Sequence, residues 1–309
     1  MTWTIEADDL PAGVAELGSQ TPRRLHGLGD RDLVRRLEGP EAVTIVGSRH
    51  PSAYGLRIAG ELGFEVASAG VVVVSGMAIG IDAAAHRGAL EAGGPTVAVL
   101  GCGPDVVYPR RERELHRRIA AEGAIVAEYE PGTPAAPHQF PERNRIMAAL
   151  GGAVVVVEAT DPSGSLITAD EGIRLGRAVG AVPGPVGVAA SRGTNRLIKD
   201  GGELIRDARD VLDLLFGVGA SAPKPRLEDF EVRPRGPRLD PLQARVLDLV
   251  ASGAASPDRI AGGLGIRSQE ASIALAQLEL LGYVEADATG GFNRTPLATP
   301  VEGLGKGAD

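Results

Sequence analysis

The chain has 309 residues, 43% apolar and 23% charged, with a formal net charge of −8; this is the composition of a globular protein large enough for one sizeable domain and a small one, without a generally basic surface. No stretch nears the roughly 20 apolar residues that span a bilayer, and residues 1–9 are acidic and lack a signal-peptide pattern. The one cysteine, Cys102, rules out an internal disulfide framework and fits a reducing cytosol, so a cytoplasmic protein without membrane association is expected.

Residues 1–40 hold Pro11, Pro22 and the segment Arg31-Asp32-Leu33-Val34-Arg35-Arg36-Leu37, and are predicted to form a short lead-in with one or two helical turns. From Glu41 a regular alternation begins. Val43-Thr44-Ile45-Val46 runs into Gly47-Ser48-Arg49, and Val71-Val72-Val73-Val74 into Ser75-Gly76. Residues 96–100 run into Gly101-Cys102-Gly103, and 124–127 into Glu128-Tyr129-Glu130-Pro131-Gly132. Residues 153–157 lead to the small-residue turn Pro162-Ser163-Gly164-Ser165, and 178–182 to Pro183-Gly184-Pro185. Segments of helical length and period lie between, at 56–67, 81–92 and 111–122. Short, continuous apolar strands alternating with helices predict an α/β fold over 41–216, a parallel sheet with helices on both faces. Ligands of such sheets bind at the C-terminal strand ends, near the switch in strand order. Here nearly every such end carries Gly, Ser or Pro.

Residues 217–237 are rich in Pro and Gly without an apolar period and are predicted to be a linker. Helices starting at Asp240, Ser256-Pro257 and Ser268, closed by Gly282 and followed by a hairpin through Gly290-Gly291-Phe292, predict a winged-helix-like domain over 238–295. The tail, 296–309, is expected to be disordered.

Glycines at the turns Gly47-Ser48-Arg49 and Ser75-Gly76-Met77-Ala78-Ile79-Gly80 let a ligand oxygen approach backbone N–H groups at a helix start, although tight strand–helix turns need small residues in any case. Neither is followed by Gly-Lys-Ser/Thr, and neither is a Gly-x-Gly-x-x-Gly fingerprint, so ATP hydrolysis and nicotinamide chemistry have little support. Asp82 and His86 sit one helical turn apart, either as a catalytic pair or as a capping aspartate and a packed histidine; the second reading is favoured. Arg143 and Arg145 open a helix two residues apart and so point apart; one is expected to face a ligand and the other an acid such as Glu142 or Glu158. Arg110, Arg111, Arg113, Arg117 and Arg118 form either part of the same edge or a solvated basic face. Aromatics are scarce at 3%, so base stacking rests on few rings. The third helix of the C-terminal domain begins Ser268-Gln269-Glu270-Ala271-Ser272, with an acid and no base-reading arginine; a protein contact or an autoregulatory role is as well supported there as duplex reading.

Several runs resemble the DNA-processing protein A (DprA/Smf) family. They are Gly47-Ser48-Arg49, Ser75-Gly76-x-Ala78-x-Gly80-Ile81-Asp82 with His86, Ala98-Val99-Leu100-Gly101-x-Gly103-x-Asp105-x-x-Tyr108-Pro109, and Phe140-Pro141-x-Arg143-Asn144-Arg145-Ile146. Val156-Val157-Glu158-Ala159, Ser163-Gly164-Ser165-Leu166-x-Thr168-Ala169, Ala181-Val182-Pro183-Gly184 and Gly193-x-Asn195-x-Leu197-Ile198 complete the match, in order over about residues 41–216. The resemblance implies an extended Rossmann-like fold that dimerises, binds single-stranded DNA and delivers it to the RecA recombinase in natural transformation, with no cofactor, metal or catalytic residue. It places Arg49 and Arg110 on DNA phosphates. Gly47, Ser48, Ser75, Gly76, Gly80, Arg143, Asn144, Arg145, Gly164, Ser165 and Thr168 would line the pocket, and Phe140 is a candidate stacking ring.

One departure keeps an enzyme reading open. After Thr168-Ala169 this chain has Asp170-Glu171, where family members usually continue with aliphatic or neutral residues. The related lonely-guy phosphoribohydrolases carry Pro-Gly-Gly-x-Gly-Thr-x-x-Glu. Laid on residues 163–171, it matches Gly164, Thr168 and Glu171, while Ser165 and Ile167 replace two glycines. Glu171 could then assist loss of a base from a nucleoside monophosphate.

Overall fold

The computed structural model describes residues 2–37, 39–217, 239–251, 256–286 and 291–295, and the chain divides into two compact units, Met1–Val232 and Arg233–Asp309. The predicted linker beyond Gly217, the predicted tail and Gly290 of the predicted hairpin lie outside the described residues.

The first unit is built on one nine-stranded sheet. Its elements in chain order are β1 (Thr2–Glu6), α1 (Ala12–Ala15), β2 (Arg24–Gly29), α2 (Arg31–Arg35), β3 (Ala42–Val46), α3 (Ala53–Ser68), β4 (Val72–Ser75), α4 (Ile81–Glu91) and β5 (Thr96–Leu100). Then come α5 (Arg113–Glu122), β6 (Ala124–Ala127), α6 (Gln139–Leu150), β7 (Ala153–Val156), α7 (Gly164–Arg174), β8 (Ala178–Ala181), α8 (Arg192–Lys199), β9 (Glu203–Leu204) and α9 (Ala208–Phe216). The strand order is β1-β2-β6-β5-β4-β3-β7-β8-β9. From β3 the chain adds β4, β5 and β6 to one side, then crosses back and adds β7, β8 and β9 to the other. The order therefore switches between β3 and β7, which pair in parallel from Val43↔Ala153 to Val46↔Val156.

Strands β3 to β7 are buried at every residue, as their unbroken apolar runs require when helices cover both faces. Alternate residues feed separate cores, one of which takes Ala98 and Leu100 of β5 and Ile125 and Ala127 of β6 with Leu90 of α4. Val46, Val72, Val74, Val97, Val99, Val154 and Val156 pack with Ile146, Met147 and Leu150 of α6. Val43, Ile45, Val73 and Val155 pack with Leu62 and Val66 of α3 and Ala85 and Ala89 of α4.

The first forty residues hold more than the helical turns expected of them. β1 and β2 form an antiparallel hairpin, and β2 pairs antiparallel with β6, so this segment extends the sheet. Ile5 and Leu25 are fully buried with Val14, Leu33 and Val34 in the α6-side core. Gly27 leaves room for the Trp3 ring, which a Cβ there would meet at 2.2 Å, and Trp3 Nε1 donates to Gly29 O at 2.8 Å.

The second unit has α10 (Pro241–Ala251), α11 (Pro257–Leu264), α12 (Ser268–Leu280) and the antiparallel pair β10 (Val284–Ala286) and β11 (Phe292–Arg294), a winged-helix domain. Asp240 accepts from Leu242 N and Gln243 N at the start of α10, and Ser256 accepts from Arg259 N at the start of α11, satisfying N–H groups a helix leaves open. Val246, Leu247, Ile260, Leu275, Leu278 and Tyr283 form its core. Among the described residues, no helix is long and apolar enough to cross a membrane.

Candidate nucleic-acid interface

At the β3/β7 switch the C-terminal strand ends open into a cleft of about 630 Å³. Gly47, Ser48 and Arg49 enter it from the loop after β3, and Tyr108 from the loop after β5. Phe140, Arg143 and Asn144 come from the first turns of α6, and Ser163, Gly164, Ser165 and Thr168 from the start of α7. Nine of the predicted residues are thus brought to one place from three separated segments. Topology puts them there, because parallel strands end on one edge and the switch leaves no crossover between β3 and β7.

Arg143 lies under the cleft floor with 4% of its surface exposed. Its guanidinium donates to Gly76 O at 2.8 Å and to Val99 O, while Nε makes no hydrogen bond among the described residues. Burial pushes its pKa down to about 10, against the attraction of Asp82, so it stays cationic at neutral pH. Ser75, Gly76 and Gly80 do not line the cleft. The N–H groups of Gly76 and Ala78, expected to meet a ligand, donate to Asp82 Oδ2 at 3.2 and 3.4 Å. Ser75 Oγ donates to Ile45 O at 2.6 Å, tying β4 to β3. Gly80 has φ +90° and starts α4 where a Cβ would stand 2.4 Å from Ser48 O. Burial raises the Asp82 carboxyl above its usual range, opposed by Arg143 and by the two N–H donors. Asp82 therefore takes the N–H groups that a bound anion would otherwise meet at this turn.

Arg49 is exposed at the cleft, with its guanidinium carbon 5.4 Å from the centre of the Phe140 ring and no ion pair among the described residues. Phe140 in turn stacks on Tyr108, ring centres 5.3 Å apart. Arg110, exposed and likewise without an ion pair among the described residues, follows Tyr108 by two positions but does not line the cleft. Asn144 Nδ2 donates to Gly164 O at 3.1 Å, joining α6 to the α7 start. Ser163 caps α7 through Ser165 N, and the two hydroxyls lie 2.8 Å apart. Thr168 Oγ1 is buried beside the cleft and makes no hydrogen bond among the described residues.

Arg145 turns the other way, as a residue two positions from Arg143 on a helix must. It donates twice to Glu128 at 2.8 Å and also to Gln20 O and Glu142 O; the acid it pairs with is Glu128, neither of those expected. Glu158 instead accepts from Ser52 N and Ser52 Oγ, and its own carbonyl accepts from Ser48 N at 2.8 Å. Glu171 bonds Arg174 at 2.6 Å and lines a second hollow with Gln20, Glu128, Tyr129 and Arg145. It does not line the cleft, so the carboxylate on which the base-releasing reading rests does not stand there.

His86 and Asp82 are not a pair: His86 Nδ1 lies 2.7 Å from Thr96 Oγ1 inside the core. Glu158 and Tyr108 are the residues with site roles that sequence patterns left unassigned. Each had a signal, an acid closing an apolar strand and an aromatic at a strand-end turn in a chain poor in rings. In the second unit Arg267, just ahead of α12, is paired with Glu270 at 2.8 Å.

The family model described as DNA recombination-mediator protein A matches residues 1–216, and that of the DprA winged helix domain matches 231–290. A DprA-named DNA processing protein of Mycobacterium tuberculosis is 43% identical over 250 residues, 80% of this chain. The match spans only 62% of that relative's length. DNA processing protein DprA of Streptococcus pneumoniae is 38% identical over 68% of this chain and 73% of its own, and its crystal structure superposes with a TM-score of 0.64. The Helicobacter pylori DNA processing protein A, a structure concerned with that protein's single-stranded DNA binding mode, gives 0.62 at 30% identity, covering 70% of this chain and 95% of that one. The chain belongs to the DNA recombination-mediator protein A family.

Proposed function

We propose that the chain binds single-stranded DNA along the C-terminal edge of its sheet, protects it, and hands it to the RecA recombinase as a homodimer in natural transformation. The observation that carries this reading is Arg49, an exposed cation without an ion pair among the described residues, beside the stacked Phe140 and Tyr108 at the mouth of the cleft. A positive fork next to aromatic rings suits a strand whose phosphates and unstacked bases are both accessible. Buried Arg143 adds positive potential from below. Family membership supports mediation of recombination, and the Helicobacter pylori relative supports a single strand as the ligand.

The expected behaviour is binding of oligo-dT in preference to duplex, weakening as salt rises with a slope of about −0.7 per phosphate neutralised. Replacing Arg49 and Arg110 together by glutamate abolishes a gel shift of oligo-dT. A preference for duplex, or unchanged affinity in that double variant, overturns the reading. RecA filament growth on oligo-dT, with and without the protein, tests the transfer step separately, and sedimentation tests the dimer.

A further inference from the structure

We propose that Tyr108 is the platform on which this cleft stacks a base of the bound strand. The inference rests on the reading above and specifies how that site takes its ligand.

Phe140, the ring that sequence resemblance singles out, lines the cleft but is only partly exposed. Tyr108 stacks on it at 5.3 Å and an interplanar angle of 30°, and Arg49 lies 5.4 Å from its centre. The backbone of Gly101 also closes on it, since a Cβ there would stand 3.0 Å from Phe140 Cδ1. These neighbours cover part of the Phe140 ring. Tyr108 is 46% exposed, lines the cleft, and its hydroxyl makes no hydrogen bond among the described residues. The more open aromatic surface at this site therefore belongs to Tyr108, with Phe140 as the ring that backs it.

The loop carrying Tyr108 is held in place before any ligand arrives. Gly103 N donates to Thr133 O at 2.9 Å, and Val106 N to Gly103 O at 3.0 Å. Asp105 Oδ1 accepts from Gly132 N at 2.7 Å, and Pro104 O lies 2.9 Å from His116 Nε2. A platform fixed in this way loses little conformational freedom on binding, which favours stacking. Its flanks suit the phosphates on either side of a stacked base: Arg49 next to Phe140, and exposed Arg110 two residues after Tyr108.

The test measures binding of oligo-dT, and of an abasic sugar–phosphate oligomer of equal length, to the full chain and to its Tyr108→Leu and Tyr108→Trp variants. Leucine keeps apolar volume without a π face, whereas tryptophan keeps the face. Tyr108→Leu is expected to weaken oligo-dT binding about five- to hundredfold, the range of one stacked base. Its binding of the abasic oligomer and the salt slope should stay unchanged, and Tyr108→Trp should restore oligo-dT affinity. Wild-type affinity for oligo-dT in Tyr108→Leu overturns the proposal, and so does equal loss toward both oligomers, which marks a structural role. If the wild-type chain binds no oligo-dT, the proposed function itself fails, an outcome distinct from either.

Discussion

The guanidinium of Arg143 occupies the space that a side chain at position 76 would need. It donates to Gly76 O at 2.8 Å, and a Cβ on Gly76 would stand 2.5 Å from its Nη atoms. A glycine that reads as a phosphate turn in sequence is thus the partner of a buried cation. Gly76→Ala is expected to destabilise the fold by about 1–3 kcal/mol, the usual cost of overpacking, and to weaken oligo-dT binding as Arg143 shifts. Denaturant melts and a binding isotherm on one sample measure both. Unchanged stability would show that the arginine moves aside freely.

Arg49 and Arg145 should separate cleanly. Arg49→Ala removes an exposed cation at the cleft, so it is expected to lower oligo-dT affinity and flatten its salt slope by about 0.7 while leaving the melting temperature in place. Arg145→Ala removes the paired partner of Glu128 and two carbonyl contacts, so it is expected to cost about 1.5–3 kcal/mol of stability with little change in binding. The opposite pattern in the two variants would reverse their assignment.

Stability should fall with acid through His86. Thr96 Oγ1 donates to Val73 O, so it accepts from His86 Nδ1–H, and Nε2 is left bare and without a hydrogen bond among the described residues. Burial, then the charges of Arg143 and Arg87, push the imidazole down to about 3 from its usual 6.5. Between these values the unfolded chain holds the extra proton, so stability is present above pH 6.5 and is lost as the pH falls, by up to about 1.4 kcal/mol per pH unit. Asp82 acts in the opposite sense, because its raised pKa favours the folded chain at low pH. Comparing wild type with His86→Gln isolates the histidine: the wild type should lose stability relative to the variant as pH drops from 6.5 to 4. A constant difference would contradict it.

Glu158 reaches from the end of β7 to cap α3 through Ser52, and its carboxylate lies where a Cβ on Gly55 would meet it at 2.5 Å. The loop carrying Arg49 lies between Ser48, bonded to the Glu158 carbonyl, and Ser52, bonded to its carboxylate. Glu158→Ala is expected to lose about 1–3 kcal/mol of stability by leaving these donors unpaired and to weaken oligo-dT binding through a loosened Arg49. Glu158→Gln, which can still accept one bond, should retain most of both. Equal loss in the two variants would point to the charge alone.

The α/β class, the parallel strands and the winged-helix domain were legible because each is a local pattern repeated. Five unbroken apolar runs and the small residues after them require a sheet buried on both faces. The N-terminal hairpin was not legible. Thr2–Glu6 is short, and Arg24–Gly29 holds two glycines that read as turns until the Trp3 ring is seen filling the space at Gly27. The part of the site made by successive residues, such as Ser163 capping α7, was equally visible in the chain.

Which of the expected residues point into the cleft was a different matter. Residue types and spacing established a polar, arginine-bearing edge at the strand ends, since those depend only on neighbours along the chain. They could not tell that Asp82 fills the Ser75–Gly80 turn, that Arg145 belongs to Glu128, that Glu171 faces away, or that Tyr108 presents a more open ring than Phe140. Each of these depends on which group from a distant segment satisfies a charge or covers a surface, and that partner is chosen only when the strands are brought into order.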